Sequence, residues 1–521
     1  MRKQTKIAAL VSATALLALG ASITSFAAKK GTWMMVDGEW YCYDSNGDVI
    51  ENEFCLSNGK EYYVGDDGQL VRSDWVEYDG DYYFVNSSGA KITNDWRLTT
   101  PYDDSSSDEE WFYFQSTGKR AEDKKLLIKG STYFFNGDGE MMTGWVQASG
   151  DSWDEGSTDD VKGTETYYCD EETGARLEST WVLTYAPSVD EDDADDDDLH
   201  YYYLKSSGKA ATGKQSNVKG QTYFFDEEGV MLSGWVTRTS SNAGYVQIWE
   251  DDDDSDGYYS TSLSEFADAD VYFCGESDDG HMKKGKWIKT WNNVDYGADD
   301  DDNDKYWFYI NNSGKVYIPD TAGVAATRYK LEDGEGNSFD DRFTESNYDV
   351  DGDNLTVSTK KINSKTYFFD ANGQMMSKFV YVTATNSDIE YAGMYYFGTA
   401  DDGARKDGSV SVTDESGESH RFYFATETNT NQHYYNAVGI NGAKSGKLYD
   451  NGLLLTAEDA KYEVKTVTID GSDYDFIVNK SGSIQSSKKE YEEDDDVLVD
   501  ASEATFSDTK GATYKSVTGL K

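Results

Sequence analysis

The sequence predicts an all-β protein, a solenoid of stacked β-hairpin repeats with projecting acidic loops. Three observations predict it. Glycines recur at a fixed spacing: Gly47, Gly68 and Gly89 are each 21 residues apart, as are Gly118 and Gly139, and Gly208 and Gly229. A short period of this kind marks a solenoid. Each such glycine follows a run of aromatic residues, and aromatic runs favour strands. Finally, the chain holds 48 Gly against 3 Pro, so its turns are made by glycine.

The repeated phrase is two to four aromatics, a few polar residues, then Gly. It reads Tyr82-Tyr83-Phe84 before Gly89, Tyr133-Phe134-Phe135 before Gly139, Tyr223-Phe224-Phe225 before Gly229, and Tyr367-Phe368-Phe369 before Gly373. A single hairpin is barely stable in water. Stacked hairpins bury one aromatic face after another, and stability then propagates along the array. Hydrophobic residues are only 37% of the chain while 40 residues are Tyr, so the core must be built from rings. Tyrosine suits this because its flat body is apolar and its tip stays wet.

Four segments follow from the pattern. Residues 1–27 read as a secretory signal peptide: a basic stretch with Arg2, Lys3 and Lys6, an apolar run over 7–19, and the small residues Ser25 and Ala27 before cleavage. Residues 28–403 read as the repeat array with acidic insertions, 404–485 as divergent repeats of the same type, and 486–521 as a polar tail. No second apolar stretch reaches 18 residues, so no membrane span is expected in the mature chain. The C-terminal residues carry no hydrophobic tail, and attachment to a surface is expected to be non-covalent.

The net charge is −51, and removal of 1–27 takes it to −54. So acidic a surface repels nucleic acid and anionic lipid. It tolerates neutral sugars and attracts cations. Much of the charge sits in five insertions, 103–110, 151–160, 190–198, 250–256 and 299–304, each placed where a hairpin turns. They are expected as solvated loops. Weak Ca²⁺ candidates within them are Asp195, Asp197, Asp252, Asp254, Asp300 and Asp302. Asp349 to Asn354 begins like a calcium loop, but the sixth position is Asn354 instead of Gly and the twelfth is Lys360 instead of Glu.

Of the four cysteines, Cys42 and Cys55 are near enough in sequence to pair in an oxidising compartment. Cys169 and Cys274 each follow an aromatic pair. The favoured reading is four small buried hydrophobes.

A second signature follows many aromatic-Gly phrases. It is Gly139-Glu140-Met141-Met142-Thr143-Gly144-Trp145-Val146, repeated as Gly229-Val230-Met231-Leu232-Ser233-Gly234-Trp235-Val236, with a weaker copy ending in Phe379. With both halves present, the sequence resembles the cell-wall-binding repeats of Gram-positive bacteria, the choline-binding and glucan-binding types. The resemblance implies hairpins that bind choline-bearing teichoic acid or glycan in clefts lined by three aromatic faces and a Met or Leu. Carried over residue by residue, it gives Trp145 and Trp235 as Gly-Trp rings. Met142 and Leu232 take the apolar position, and Trp40, Trp111, Tyr201 and Trp307 the first ring of the next strand. The departure is that Thr132, Thr222 and Thr366 stand where a cleft Trp belongs, so complete clefts are few. For any single ring, packing between hairpins is the competing role.

No catalytic function is expected. His200, His281, His420 and His433 lie in no motif, and there is no nucleophile elbow, HExxH or phosphate-binding loop. The leading expectation is a secreted, non-catalytic protein of a Gram-positive cell wall or surface, bound to wall polysaccharide, choline-substituted teichoic acid or glucan. The alternatives are a structural or adhesive surface protein whose acidic loops meet a host or neighbouring protein or Ca²⁺, and an accessory carbohydrate-binding subunit of a separate enzyme.

Overall fold

The computed structural model describes residues 28–156, 161–187, 189, 199–238, 244–249, 258–259, 263–266, 268–275, 279–290, 305–320, 323–332, 342–345, 355–493, 496–499, 505–508, 515–518 and 520. The signal segment and the Ca²⁺ candidates Asp195, Asp197, Asp252, Asp254, Asp300 and Asp302 lie outside them. The described elements are almost all strands. Among the described residues, no helix is long and apolar enough to cross a membrane. The chain divides into two compact units, Met1–Ala211 and Thr212–Lys521.

In the first unit, two-stranded hairpins follow one another. Thr32–Val36 pairs with Glu39–Tyr43, Glu53–Ser57 with Lys60–Val64, and Asp74–Tyr78 with Asp81–Val85. Then come Asp95–Thr99 with Glu110–Phe114 and Lys124–Ile128 with Ser131–Phe135. Gly144–Ser149 is flanked by Ser152–Glu155 and Thr166–Cys169, and Thr180–Thr184 pairs with His200–Leu204. The tight turns explain the sequence there. Asp37-Gly38, Asn58-Gly59 and Asp79-Gly80 all have positive φ at both residues. That is the hairpin turn whose twist matches the strands, and Asn-Gly and Asp-Gly adopt it at least cost. The 103–110 insertion lies between paired strands, as expected of a hairpin loop, with its last residue Glu110 opening the second strand. The 151–160 insertion, expected as a loop, instead contains the strand Ser152–Glu155.

Many of the aromatic strands end in an Asx turn. In Asn86 to Ala90, Asn86 Oδ1 accepts the amides of Ser88 and Ala90 at 2.9 and 3.0 Å. The chain then crosses to its neighbour by one recurrent bond. The residue two past most of the repeat glycines donates its amide to an earlier hairpin: Leu70 to Trp40 O (2.9 Å), Lys91 to Glu61 O (2.8 Å), Arg120 to Tyr82 O (2.8 Å) and Met141 to Trp111 O (2.8 Å). Each is worth about 1 kcal/mol net. Rings fill the space between. Centroids lie 5.2 Å apart for Phe54–Tyr83, 4.9 Å for Trp75–Phe112, 5.0 Å for Trp96–Tyr133 and 5.0 Å for Phe134–Tyr167.

The second unit begins the same way, with Gly213–Val218 on Gln221–Phe225 and Lys286–Thr290 on Tyr306–Ile310. It then widens. A six-stranded sheet gathers Val324–Leu331, Thr356–Ile362, Lys365–Phe369, Phe379–Val382, Gly393–Tyr396 and Phe343–Glu345, and a five-stranded sheet runs over Gly408–Thr413, Ser419–Phe424 and three short strands up to Leu454. Aliphatic residues join the rings there: Leu448, Leu453, Val467 and Val478 pack with Phe422, Phe424 and Phe476. In the segment 486–521, read from sequence as a polar tail, Tyr491–Glu493 pairs with Asp496–Val499 and Thr505–Asp508 with Lys515–Thr518. Tyr491, Val499 and Val517 are buried against Ile477.

All four cysteines are free and fully buried. Cys42 and Cys55 share a cluster with Ile50 and Val64 and lie within thiol contact. Burial pushes the Cys169 thiol up to about 12, which keeps it an inert hydrophobe.

Candidate aromatic clefts

Strand alternation and the recurrent crossing bond bring four positions together. They are the second residue of each strand of one hairpin, the third residue of the next aromatic strand, and the residue two past its glycine. Three sets carry the same chemistry at these positions. The first is Trp33, Trp40, Tyr62 and Leu70. The second is Trp96, Trp111, Tyr133 and Met141. The third is Trp287, Trp307, Tyr367 and Met375.

In the first set, Trp33 and Tyr62 meet edge to face, 5.8 Å apart at 71°. A cavity of about 290 Å³ opens between them, walled by Trp33, Trp40, Tyr62 and Leu70. Its polar wall is Ser57, Ser88 and Arg72, and Arg72 Nη1 donates to Glu39 Oε2 at 3.0 Å. In the second set, Trp96 lies 6.4 Å from Trp111 and 5.0 Å from Tyr133, at 88° and 66°. In the third, Trp287 lies 4.9 Å from Tyr367, and Met375 donates its amide to Trp307 O at 2.8 Å. Trp307 Nε1 donates to Asp401 Oδ1 at 2.9 Å.

Elsewhere the same positions are plugged by the chain's own cations. In the set Trp75, Tyr82 and Phe112, the fourth residue is Arg120, whose guanidinium lies 4.3 Å from the Tyr82 ring and 5.8 Å from Trp75. In the set Phe54, Glu61 and Tyr83, Lys91 sits 4.8 and 5.3 Å from the two rings and pairs with Glu61. Lys125 lies over three rings, 5.2 Å from Trp153, 5.2 Å from Tyr167 and 5.9 Å from Phe134. Lys214 does the same in the second unit, over Tyr272 at 4.9 Å and Phe224 at 5.3 Å. An ammonium over a ring face gains about 0.5–2 kcal/mol. These plugged sets therefore hold hairpins together.

The residues named from sequence fall as follows. Trp40, Trp111 and Trp307 take the second position of these three sets. Tyr201 takes the second position of the Thr180–Thr184 hairpin and is exposed. Trp145 and Trp235 take first positions. Trp145 donates Nε1 to Tyr185 O at 2.8 Å and packs 4.8 Å from Tyr202, while Trp235 is fully buried, 4.8 Å from Phe308. Met142 and Leu232 point inward. Met142 is buried with Phe134, Val146 and Tyr167, and Leu232 with Phe224, Val236 and Tyr272. The cleft wall is instead Met141, one residue earlier, because neighbours on a strand face opposite sides. Trp33, Tyr62, Leu70, Trp96 and Tyr133 were not among the cleft residues expected from sequence. A pattern of four positions spread over two hairpins shows only once the crossing bond is known.

One group of metal-ligating atoms occurs among the described residues: Asp414, Glu418 and His420 lie within 4.8 Å of one another. Its geometry is that of an Asx turn. Asp414 Oδ1 accepts the Ser416 and Glu418 amides at 3.0 and 2.9 Å, and Oδ2 meets His420 Nε2 at 2.8 Å. The His420 and Ser416 bonds hold the Asp414 carboxyl well below the usual range.

Two segments, 126–141 and 360–375, match a model of the cell wall binding repeat of the choline-binding type. They supply Tyr133 and Met141 of the second set and Tyr367 and Met375 of the third. Among curated proteins, the chain is 27% identical over 322 residues to Glucosyltransferase-S of Streptococcus mutans serotype c, covering 57% of this chain. It spans 20% of that relative's length. Among solved structures it is similar to CbpJ of Streptococcus pneumoniae, at 18% identity and TM-score 0.35, over 70% of this chain and 98% of that one. It is also similar to the modular autolysin LytC of the same organism, at 18% identity and TM-score 0.33, over 66% and 52%.

Proposed function

From the cell wall binding repeats that the chain carries at 126–141 and 360–375, we propose that it is an exported, non-catalytic surface protein that holds a wall polymer non-covalently. The observation that supports this is the threefold recurrence of two tryptophans, one tyrosine and a Leu or Met at equivalent positions. A quaternary ammonium is attracted to ring faces by their quadrupole, and the attraction grows as water is excluded. Each cleft is weak alone, and several on one chain add avidity when they engage one polymer. Choline-bearing teichoic acid supplies such repeated cations.

A second ligand reading rests on the wall of the first cleft. Ser57, Ser88 and the Arg72–Glu39 pair present hydroxyl and charged groups beside the rings. Rings that stack on a sugar, with polar groups for its hydroxyls, fit a glycan chain, in keeping with the relative named a glucosyltransferase.

The test is sedimentation of the chain lacking 1–27 with purified cell walls. Binding is expected, with release by free choline if the ligand is choline and by soluble glycan if it is sugar. A chain left in the supernatant with walls of its own and related species overturns the proposal.

A further inference from the structure

A second cavity, of about 440 Å³, lies in the unit Thr212–Lys521 among the strands Ser419–Phe424, Lys447–Asp450 and Leu453–Leu454. Small-molecule sites begin at about 300 Å³. Its lining reverses the charge of the molecule. The chain has 98 acidic against 47 basic residues. The cavity is lined by Arg342, Arg421, Lys447 and Lys480, against Glu418 and Glu458, with His420 bonded to Asp414.

Three of the basic groups, Lys447, Lys480 and Arg421, are not spent on carboxylates among the described residues. Lys447 Nζ donates to the Ser481 carbonyl, to Ser481 Oγ at 3.1 Å and to Ser483 Oγ at 3.0 Å. Lys480 Nζ donates to the Asp459 carbonyl at 3.0 Å. These partners are neutral, so they orient the ammonium groups without cancelling their charge. Arg421 has no carboxylate within ion-pair distance among the described residues. Arg342 is 8% exposed and lies 3.8 Å from Glu418, at the cavity wall. A buried guanidinium and two oriented ammoniums are the donors that phosphate and carboxylate groups select. Acids elsewhere on the chain repel an anion only over the screening distance, about 8 Å at physiological ionic strength.

We propose that this cavity is a second binding site, which takes the phosphate or carboxylate groups of an anionic polysaccharide. It shares no residue with the aromatic clefts and differs from them in ligand chemistry, and it does not depend on them. One protein would then hold an anionic chain by two kinds of group, cationic or sugar substituents in the clefts and oxyanions here.

The experiment is calorimetric titration of the chain lacking 1–27 with oligomers of glycerol phosphate, oligogalacturonate, neutral dextran oligomers and inorganic phosphate. The double variant R421Q/K480Q changes two exposed side chains and leaves the Lys447 and Arg342 contacts in place. At least one anionic oligomer is expected to bind, and its affinity to fall tenfold or more in R421Q/K480Q. The same oligomer should bind W33A as it binds the parent, which separates this site from the clefts. Whether phosphate or carboxylate oligomers bind identifies the source of the oxyanion, and either supports the site. Binding of inorganic phosphate alone, absence of anion binding, or binding unchanged in R421Q/K480Q overturns it.

Discussion

A β-carbon on Gly89 would lie 2.7 Å from Cδ1 of Leu70, the apolar wall of the first cleft. The repeat glycine thus serves the preceding repeat as well as its own turn. The same pairing holds at 2.3 Å between Gly174 and Met141 Sδ, and at 2.1 Å between Gly403 and Met375 Sδ.

Gly89→Ala therefore has two effects. Gly89 sits at φ +83°, where a side chain strains the backbone by about 1–3 kcal/mol. The added methyl also pushes Leu70 toward the cavity. A lower melting temperature and weaker retention on cell walls are expected together. A variant that loses stability and keeps full retention would show that Leu70 does not shape the cleft.

Removing a ring tests the cleft directly. Trp33→Ala is expected to weaken ligand binding roughly two- to thirtyfold, the range of one cation–π contact. Trp33→Phe should restore part of the loss. Equilibrium titration with choline, and separately with soluble glycan, reads the effect and assigns the ligand.

Arg120→Met asks whether a plugged set can be opened. It gives Trp75, Tyr82 and Phe112 the methionine found at Met141. The expected outcome is one added ligand per chain in a stoichiometric titration. Some stability should be lost with the contacts to the Tyr82 ring and to Glu122.

Asp226 makes a pH prediction. It is the turn residue of its repeat and accepts the Val230 amide at 2.8 Å. Burial pushes its carboxyl up to about 7, against about 3.9 in an unfolded chain. Between those values the folded state keeps a proton that the unfolded state releases, so stability falls as pH rises from about 4 to 7. Asn occupies the equivalent turn position at Asn86, Asn136 and Asn311 and makes the same bond. Asp226→Asn should raise the melting temperature at pH 8 and change it little at pH 4. Equal gains at both values would mean the carboxyl is not the cause.

The hairpin repeat was readable because its marks are local: a glycine that needs positive φ, and a run of rings before it. Trp40, Trp111 and Trp307 were named by carrying over the motif of the repeats that the sequence resembles. The choice between Met141 and Met142 was not readable, since a shift of one residue turns a side chain to the opposite face. Nor was the plugging of clefts by Lys91, Arg120 and Lys125. That depends on a bond that skips from one hairpin to another, and sequence spacing between hairpins varies with the acidic insertions. The cavity beside Arg342 draws residues from five separate stretches between 342 and 481.

Two places beyond the repeat glycine stand the apolar residues Leu70, Met141 and Met375 in some sets, and the stoppers Lys91 and Arg120 in others. The amide bond that holds the array is made by the main chain, so it is indifferent to which side chain sits there. Grip on an outside polymer and cohesion along the array can therefore be traded one codon at a time, on a scaffold that does not change.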